Sequence, residues 1–377
     1  MGLFILRRIG VMLLTALCLT FIVFWLTNLF PNLEKLAKNQ GNNRMEIHEV
    51  SNWLSNRGYR SPADPALIEA SRRDEIEDAE FEDQITGFDP RLLRNYGEWL
   101  GVFPGYVIEG ADGTTRARCA NHSTPDEETA NFCGILQGYW GFSTVFKEDV
   151  GGIIATRLGA TGKLMFWVMM FMVPGALLIG VLAGMREGSR TDRSLSTVSI
   201  LSTATPEYVS GVILIAVFAT PLFGMQYFKG TANSAVDDAT FENFFLPVIT
   251  IALYGMGYIA RMTRASMTEV MTAQYIRTAR LKGVAFRTIV WRHALRNALI
   301  APFTVIMLQF PWLLNGVVIV ETLFNYKGFG WTLVQAASNN DIDLLLAVSV
   351  VSVLVVLITQ LISDIGYVFL NPRIRIS

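Results

Sequence analysis

Six stretches of the chain are apolar for about twenty residues at a time, and polar segments separate them. They run from about Ile9 to Phe30, Leu164 to Ala183, Val198 to Phe223, Phe244 to Ala260, Ala298 to Val320 and Leu344 to Ile362. An α-helix rises 1.5 Å per residue and needs about 20 residues to cross a hydrocarbon core of ~30 Å. The pattern therefore predicts an all-α membrane protein with six transmembrane helices. Three of the stretches carry internal marks. The second has a Pro174–Gly175 kink, and its Gly180 and Gly184 have the small-xxx-small spacing, a weak sign of helix contact. Its methionines Met165, Met169, Met170 and Met172 read as lipid-facing or packing residues. The third is polar in its first half (Ser199, Ser202, Thr203, Thr205) and carries Pro206 and Glu207. Acids at membrane depth are costly and often functional, which makes Glu207 a candidate for the solute path. The fifth holds Pro302, Pro311, Asn315 and Gly316, and an interrupted helix of this kind can line a cavity.

The loops fix an orientation. Arg7 and Arg8, the Arg186/Arg190/Arg193 loop, the 261–296 stretch and the Arg373/Arg375 tail are basic, whereas 31–150, 224–243 and 321–343 are acidic or balanced. The alternation follows the positive-inside rule at every loop and puts both termini in the cytoplasm. Arg7-Arg8 also opens some secretory signals, but 22 apolar residues exceed a signal h-region and no small-x-small cleavage site follows. Three regions result: 1–30, a tail with helix 1; 31–150, an extracytoplasmic insert; and 151–377, a core with helices 2–6.

Composition agrees. Apolar residues make up 51% of the 377 and charged residues 17%, against ~25% in soluble proteins. The net charge of −1 conceals an asymmetry: 31–150 holds 21 acidic and 12 basic residues, and the remainder 11 and 19. The basic residues are spread over membrane-flanking loops, which argues against nucleic-acid binding. In the insert, helices are expected at Met45–Arg57 and Pro65–Glu82, and a loop around Gly110–Asp126. Cys18 lies in the first apolar stretch as a small packing residue. Cys119 and Cys133 share the insert and are either a disulfide, if that side is oxidising, or two free thiols. His48, His122 and His293 are far apart and no Cys/His cluster has metal spacing, so no metal site is expected.

The most informative segment is Met262–Pro302. It carries seven basic residues as lysine or arginine, with Glu269 as its one acid. Apolar residues recur at Tyr275, Ile276, Ala279 and Leu281, then at Val284, Ile289 and Trp291. That spacing suits a short amphipathic helix, a break at Gly283 and a second helix. By periodicity alone it reads first as a basic helix lying on anionic lipid. The string itself, Tyr275-Ile-Arg-Thr-Ala-Arg-Leu-Lys-Gly283 followed nine residues later by His293-Ala-Leu-Arg-Asn-Ala-Leu-Ile-Ala-Pro302, resembles the EAA loop of binding-protein-dependent ABC importer permeases of the oligopeptide/dipeptide/nickel group. Phe4-Ile-Leu-Arg-Arg8, Glu321-Thr-Leu-Phe-Asn-Tyr-Lys-Gly-Phe-Gly330, Asp364 and Asn371-Pro-Arg-Ile-Arg375 are similar to other strings of that group. The resemblance covers 1–30 and about 135–377. Arg277 stands where the general motif has Glu, Asn371 where Asp is usual, and about 104–133 looks inserted before Gly138-Tyr-Trp-Gly141.

The resemblance implies the type I ABC importer permease fold, with a coupling loop at about 265–297 that docks on a separate ATPase. Tyr275, Arg277, Thr278, Ala279, Arg280, Lys282 and Gly283 would carry that contact, the small residues by close approach and the basic ones by pairing with acids. Glu207, Pro311, Asn315 and Gly316 are the pathway candidates. The chain has no phosphate loop, since Gly159-Ala-Thr-Gly-Lys163 lacks its spacing and hydroxyl. No cofactor is expected on it; ATP and Mg would sit on two partner ATPase subunits. A second permease subunit and an extracytoplasmic binding protein complete the implied set, in a bacterial inner membrane. The implied cargo is a di- or oligopeptide, with nickel, sugar or another small solute as alternatives. A membrane-embedded enzyme would need a nucleophile and base, and Ser199, Ser202 and Glu207 have no histidine at their depth. A scaffold built on the acidic insert leaves the basic segment unexplained.

Overall fold

The computed structural model describes residues 2–29, 50–51, 65–73, 75–77, 80–81, 92–105, 107–109, 115–117, 132–221 and 226–370. Helix dominates them. In chain order they form α1 (Gly2–Leu29), α2 (Pro65–Arg72), α3 (Leu92–Leu100), a hairpin of β1 (Val107–Glu109) and β2 (Thr115–Ala117), then α4 (Val150–Gly184), α5 (Arg190–Ala204), α6 (Glu207–Phe218), α7 (Phe241–Thr272), α8 (Gln274–Leu281), α9 (Ile300–Leu323), α10 (Phe329–Ser338) and α11 (Ile342–Leu370).

Among the described residues α1, α4, α7 and α11 are long and apolar enough to cross a membrane, and α5 with α6 qualifies only as a joined pair. The third apolar stretch is thus not the single helix its composition predicts. It bends by 108° between α5 and α6. Proline disfavours helical geometry in the residue before it and lacks a donor N–H; Thr205, before Pro206, is extended at φ −89°, ψ 122°. Pro174, Pro247 and Pro311 lie inside helices that run on through them. At 35 residues α4 is about 52 Å long, well beyond the ~30 Å core, so it begins far ahead of the apolar stretch at Leu164. Rows of exposed apolar side chains, such as Leu13, Leu14 and Leu17 on α1 or Ile358 and Ile362 on α11, are what lipid as a solvent permits.

The chain divides into two compact units. One comprises Met1–Ile9, Arg157–Thr332 and Val355–Ser377. Its core joins Leu164, Val168 and Met172 of α4, Leu246, Ile251 and Ile259 of α7, and Leu313, Val317 and Val320 of α9. The small-xxx-small spacing proves to be a true contact: a Cβ at Gly184 would lie 2.6 Å from Met267 Cβ, and one at Gly180 2.6 Å from the Ala260 carbonyl oxygen. Glycine thereby brings α4 against the α7 backbone. Met172 is buried and Met170 exposed, so the methionines divide between packing and lipid. Arg8 and Asp364 form an ion pair in this unit.

The other unit comprises Gly10–Thr156 and Leu333–Leu354. Phe24, Tyr96 and Trp99 pack with Ile342, Leu346 and Val350. The Tyr96 hydroxyl shares a 2.7 Å hydrogen bond with Thr20, and the Phe21 and Phe24 rings meet Tyr96 at 5.3 and 5.5 Å. Helix α3 of the acidic region is therefore anchored on α1 by aromatic packing that its charge obscured. The expected helix from Pro65 stops at Arg72; the one at Met45–Arg57 lies outside the described residues except 50–51, which are helical. The loop expected around Gly110–Asp126 is corrected in part: Thr115–Ala117 pairs antiparallel with Val107–Glu109. Extended pairing needs no hydrophobic run, so two three-residue strands leave little periodic trace.

At Gly141, where φ is +92°, the chain turns tightly beside Asp343, and Phe142 N–H donates to Asp343 Oδ2 at 3.3 Å. Asp341, just ahead of α11, accepts from Ser143 Oγ at 2.6 Å and from Val145 N–H at 3.2 Å. Burial pushes the Asp341 carboxyl above the usual range, and these bonds oppose the shift. Cys18 is corrected from a packing residue to an exposed, free thiol on α1. Cys133 is buried and disulfide-bonded, and Cys119 lies outside the described residues.

Candidate functional site

The basic segment folds as a helix–turn–helix. Ala273, extended at φ −63°, ψ 149°, ends α7 and begins α8. Gly283, at φ +76°, ends α8: its N–H donates to Arg280 O at 3.0 Å and Val284 N–H to Ala279 O at 3.2 Å. These two bonds form a Schellman motif, which favours glycine at the left-handed position. Open space surrounds the Gly283 Cβ position, so the backbone rather than crowding requires the glycine. The chain continues through a helical turn, Phe286–Thr288, and a π-helical turn, Ile289–Ala294, before Leu295–Ala298 leads towards α9.

One side of this segment is packed. Ile276 is fully buried with Met267 and Met271 of α7 and with Ile289, Val290, Ala294 and Ala298, and Ala279 and Val284 lie against the same cluster. Polar ties add to it: Ser266 Oγ donates to Ala298 O at 2.7 Å, and Asn297 Nδ2 to the Tyr275 hydroxyl at 2.9 Å. The Arg186 guanidinium stands 5.2 Å over the Phe286 ring.

The other side is open. Arg277, Thr278, Arg280, Lys282 and Gly283 are exposed, and among the described residues no acid pairs with the three basic side chains. Leu281 is 84% and Trp291 72% exposed, with Tyr275 beside them also exposed. The apolar spacing thus sorts into two sets. Ile276, Ala279, Val284 and Ile289 face inward, whereas Tyr275, Leu281 and Trp291 face outward among the cations. Ala279, expected on the contact face, belongs to the inner one. Leu281 and Trp291 are not legible as site residues in the sequence, because period alone cannot tell a core position from an exposed anchor. The result is a basic surface with apolar projections on a well-packed frame.

Of the pathway candidates, the fold unites two. Glu207 is the first residue of α6, buried at the 108° bend, and a Cβ at Gly316 of α9 would lie 2.8 Å from Glu207 Oε2. Pro311 is half-buried in the same helix, and the Asn315 side chain lies outside the described residues.

Sequence reasoning missed a third constellation. Glu321, at the end of α9, is fully buried; it accepts a hydrogen bond from Thr161 of α4 and another from Trp331 N–H at 2.9 Å. Phe329 N–H donates to Thr161 Oγ1 at 2.7 Å, Tyr326 Oη to Ala160 O at 2.8 Å, and Arg157 Nη1 to Lys327 O at 2.9 Å. Gly328 lies so close to Glu321 that a Cβ would overlap its carboxylate. Burial also pushes the Tyr326 phenol far up. The signal available was a lone acid directly after an apolar stretch.

Residues 176–376 match the family model of the binding-protein-dependent transport system inner membrane component. The chain is 36% identical to the probable peptide ABC transporter permease protein y4tP of Sinorhizobium fredii over 295 residues, 73% of this chain and 94% of that protein. It is 35% identical to the di/tripeptide transport system permease protein DppB of Pseudomonas aeruginosa, over 64% of this chain and 78% of the relative. The glutathione transport system permease protein GsiC of Escherichia coli is 32% identical over 64% and 76%.

Proposed function

Because the chain belongs to the family of binding-protein-dependent transport system inner membrane components, we propose that it is a permease subunit of an ATP-driven peptide importer and forms half of its translocation pathway. The observation that carries the reading is the outward face of α8: Arg277, Arg280 and Lys282, with no acid paired to them among the described residues, beside Leu281 and Trp291, held on the cluster around Ile276. A partner groove with an acidic rim and an apolar floor would satisfy both kinds of residue. Two ATP-binding subunits supply that groove, together with ATP and Mg, a second permease completes the pathway, and an extracytoplasmic binding protein delivers the solute. Peptides are the favoured cargo, as the relatives' names concern peptides, di/tripeptides and glutathione.

In this reading the bent α5–α6 pair is one span and α9 another. Six spans then run through the inner membrane with both termini in the cytoplasm, residues 31–150 form an extracytoplasmic insert, and 151–377 is the permease core. Glu207 and Gly316 at the bend, with Pro311 and Asn315 on α9, line the path. Closure of the ATPases moves α8 as a rigid lever and rocks the helices packed on it.

The test is affinity purification of the tagged chain in mild detergent, with mass spectrometry of its companions. Recovery of a second multi-span permease and of ATPases bearing phosphate loops is expected. Recovery of the chain alone, or only with copies of itself, would overturn the assignment.

A further inference from the structure

The turn between α4 and α5 carries an ion pair that the coupling surface does not use. Asp192, in the first turn of α5, receives Arg264 of α7 through both carboxylate oxygens, Nε to Oδ1 at 2.5 Å and Nη2 to Oδ2 at 2.8 Å. The Asp192 side chain is 3% exposed. Gly188 N–H donates to its Oδ2 at 2.9 Å and Ser196 Oγ to its Oδ1 at 3.1 Å, while its own N–H is capped by Ser189 Oγ at 3.1 Å. Every acceptor direction of the carboxylate is therefore engaged. A partly buried ion pair is a weak way to gain stability, because desolvation offsets attraction. Its particular property is geometric: the guanidinium fork fixes direction as well as distance.

What the pair joins gives that geometry a use. Three residues beyond Arg264, Met267 enters the cluster that seats Ile276 of α8, and Val181 and Met185 at the end of α4 pack on the same cluster. Gly184 presses on the same turn of α7, since a Cβ there would lie 2.7 Å from the Arg264 carbonyl oxygen. From Asp192, α5 runs without interruption to the bend at Thr205–Pro206, where Glu207 abuts Gly316. Along the way Gly257 of α7 lets α5 approach closely, with the Ser199 carbonyl oxygen 2.6 Å from a would-be Cβ. Small residues let the two backbones approach closely at that contact but fix no register between them. The ion pair is the anchor that sets the register between them.

We propose that Asp192 and Arg264 are positioning residues for transport: by locking α5 to α7 beside the α8 cluster, the pair delivers displacement of α8 to the α5–α6 bend. The inference rests on the transporter reading above. A loss of the lock leaves nucleotide-driven motion of α8 intact but lets α5 slip, so hydrolysis proceeds without delivery.

The experiment uses the complete transporter in liposomes, with a di- or tripeptide as probe, and reads peptide imported per ATP hydrolysed. Asp192→Asn and Arg264→Gln are each expected to keep the ATPases bound and hydrolysis within about twofold, while import per ATP falls about tenfold. The double variant is expected to lose no more than either single, as for residues acting as one unit. Arg264→Lys, which keeps the charge but not the fork, should fall below the wild type; it also serves if Asp192→Asn does not assemble. Unchanged import per ATP in an assembled variant, additive losses in the double, or full coupling in Arg264→Lys would overturn the lock. Failure of the wild-type chain to recruit ATPases would instead strike the transporter reading, and the lock with it.

Discussion

Tyr275–Gly283 and Glu321–Gly330 lie in one structural unit, and both resemble strings of the same transporter family, yet the fold treats them in opposite ways. The first turns its charges and two large apolar side chains to the outside, where nothing among the described residues answers them. The second draws its one acid wholly inside and satisfies it from α4 and from the start of α10. A family string can thus mark a surface kept open for a partner or a polar network that holds the chain to itself. Burial and hydrogen bonding, not the letters, separate the two.

The contrast breaks most visibly at the open surface. Leu281→Asp with Trp291→Asp removes two apolar anchors that the folded chain does not use. ATPase recovery in a pull-down is expected to fall at least about tenfold and ATP-driven uptake to be lost, since anchors of this kind dominate interfaces. Thermal stability in detergent should stay within about 0.5 kcal/mol of the wild type, as for exposed positions. A variant that binds its ATPases normally, or that unfolds early, would show that this face belongs to the fold and not to a partner.

The closed network should behave in the reverse sense. Glu321→Ala leaves the Thr161 hydroxyl and the Trp331 N–H without their acceptor in a buried site. The expected loss is about 3 kcal/mol of stability, read as a lower unfolding temperature, with ATPase recovery unchanged below that temperature. An unaltered unfolding temperature together with lost transport would move Glu321 from the structural to the functional side of the comparison.

Legibility in the sequence follows the same division. Apolar length located α1, α4, α7, α9 and α11, because burial in lipid depends on composition over about twenty residues. It did not reveal the bend at Thr205–Pro206, since a window average ignores the one residue whose geometry proline dictates. The break at Gly283 is legible, because a left-handed helix end has a local residue preference. The inward and outward sets of the basic segment were not separable, since Ile276 and Leu281 differ only in what lies next to them. Long-range polar pairs were the least visible: Asp192 with Arg264 and Thr161 with Glu321 are 72 and 160 residues apart. The contact of Glu207 with Gly316 lay between these cases, as both were singled out separately and only the fold brought them together.

The smallest expected effect tests a constellation intermediate between open and closed. In the second unit Asp341 is buried like Glu321 but sits at a helix start, with Ser143 and Val145 donating to it. Burial raises its pKa above the unfolded value, against the pull of those bonds. Between the unfolded pKa of about 3.9 and the raised folded value, the native state holds more protons than the unfolded one. The contribution of this carboxyl is then fully present below the unfolded pKa and is lost as pH rises through the folded value. The unfolding temperature of the wild type, taken relative to Asp341→Asn, should therefore rise as pH is lowered from about 8 to about 4, where the protonated acid and the amide come to resemble each other. A relative temperature that falls on acidification would mean that the donors outweigh burial. Asp341 would then act as a charged clasp on the 141–145 turn and not as a buried acid.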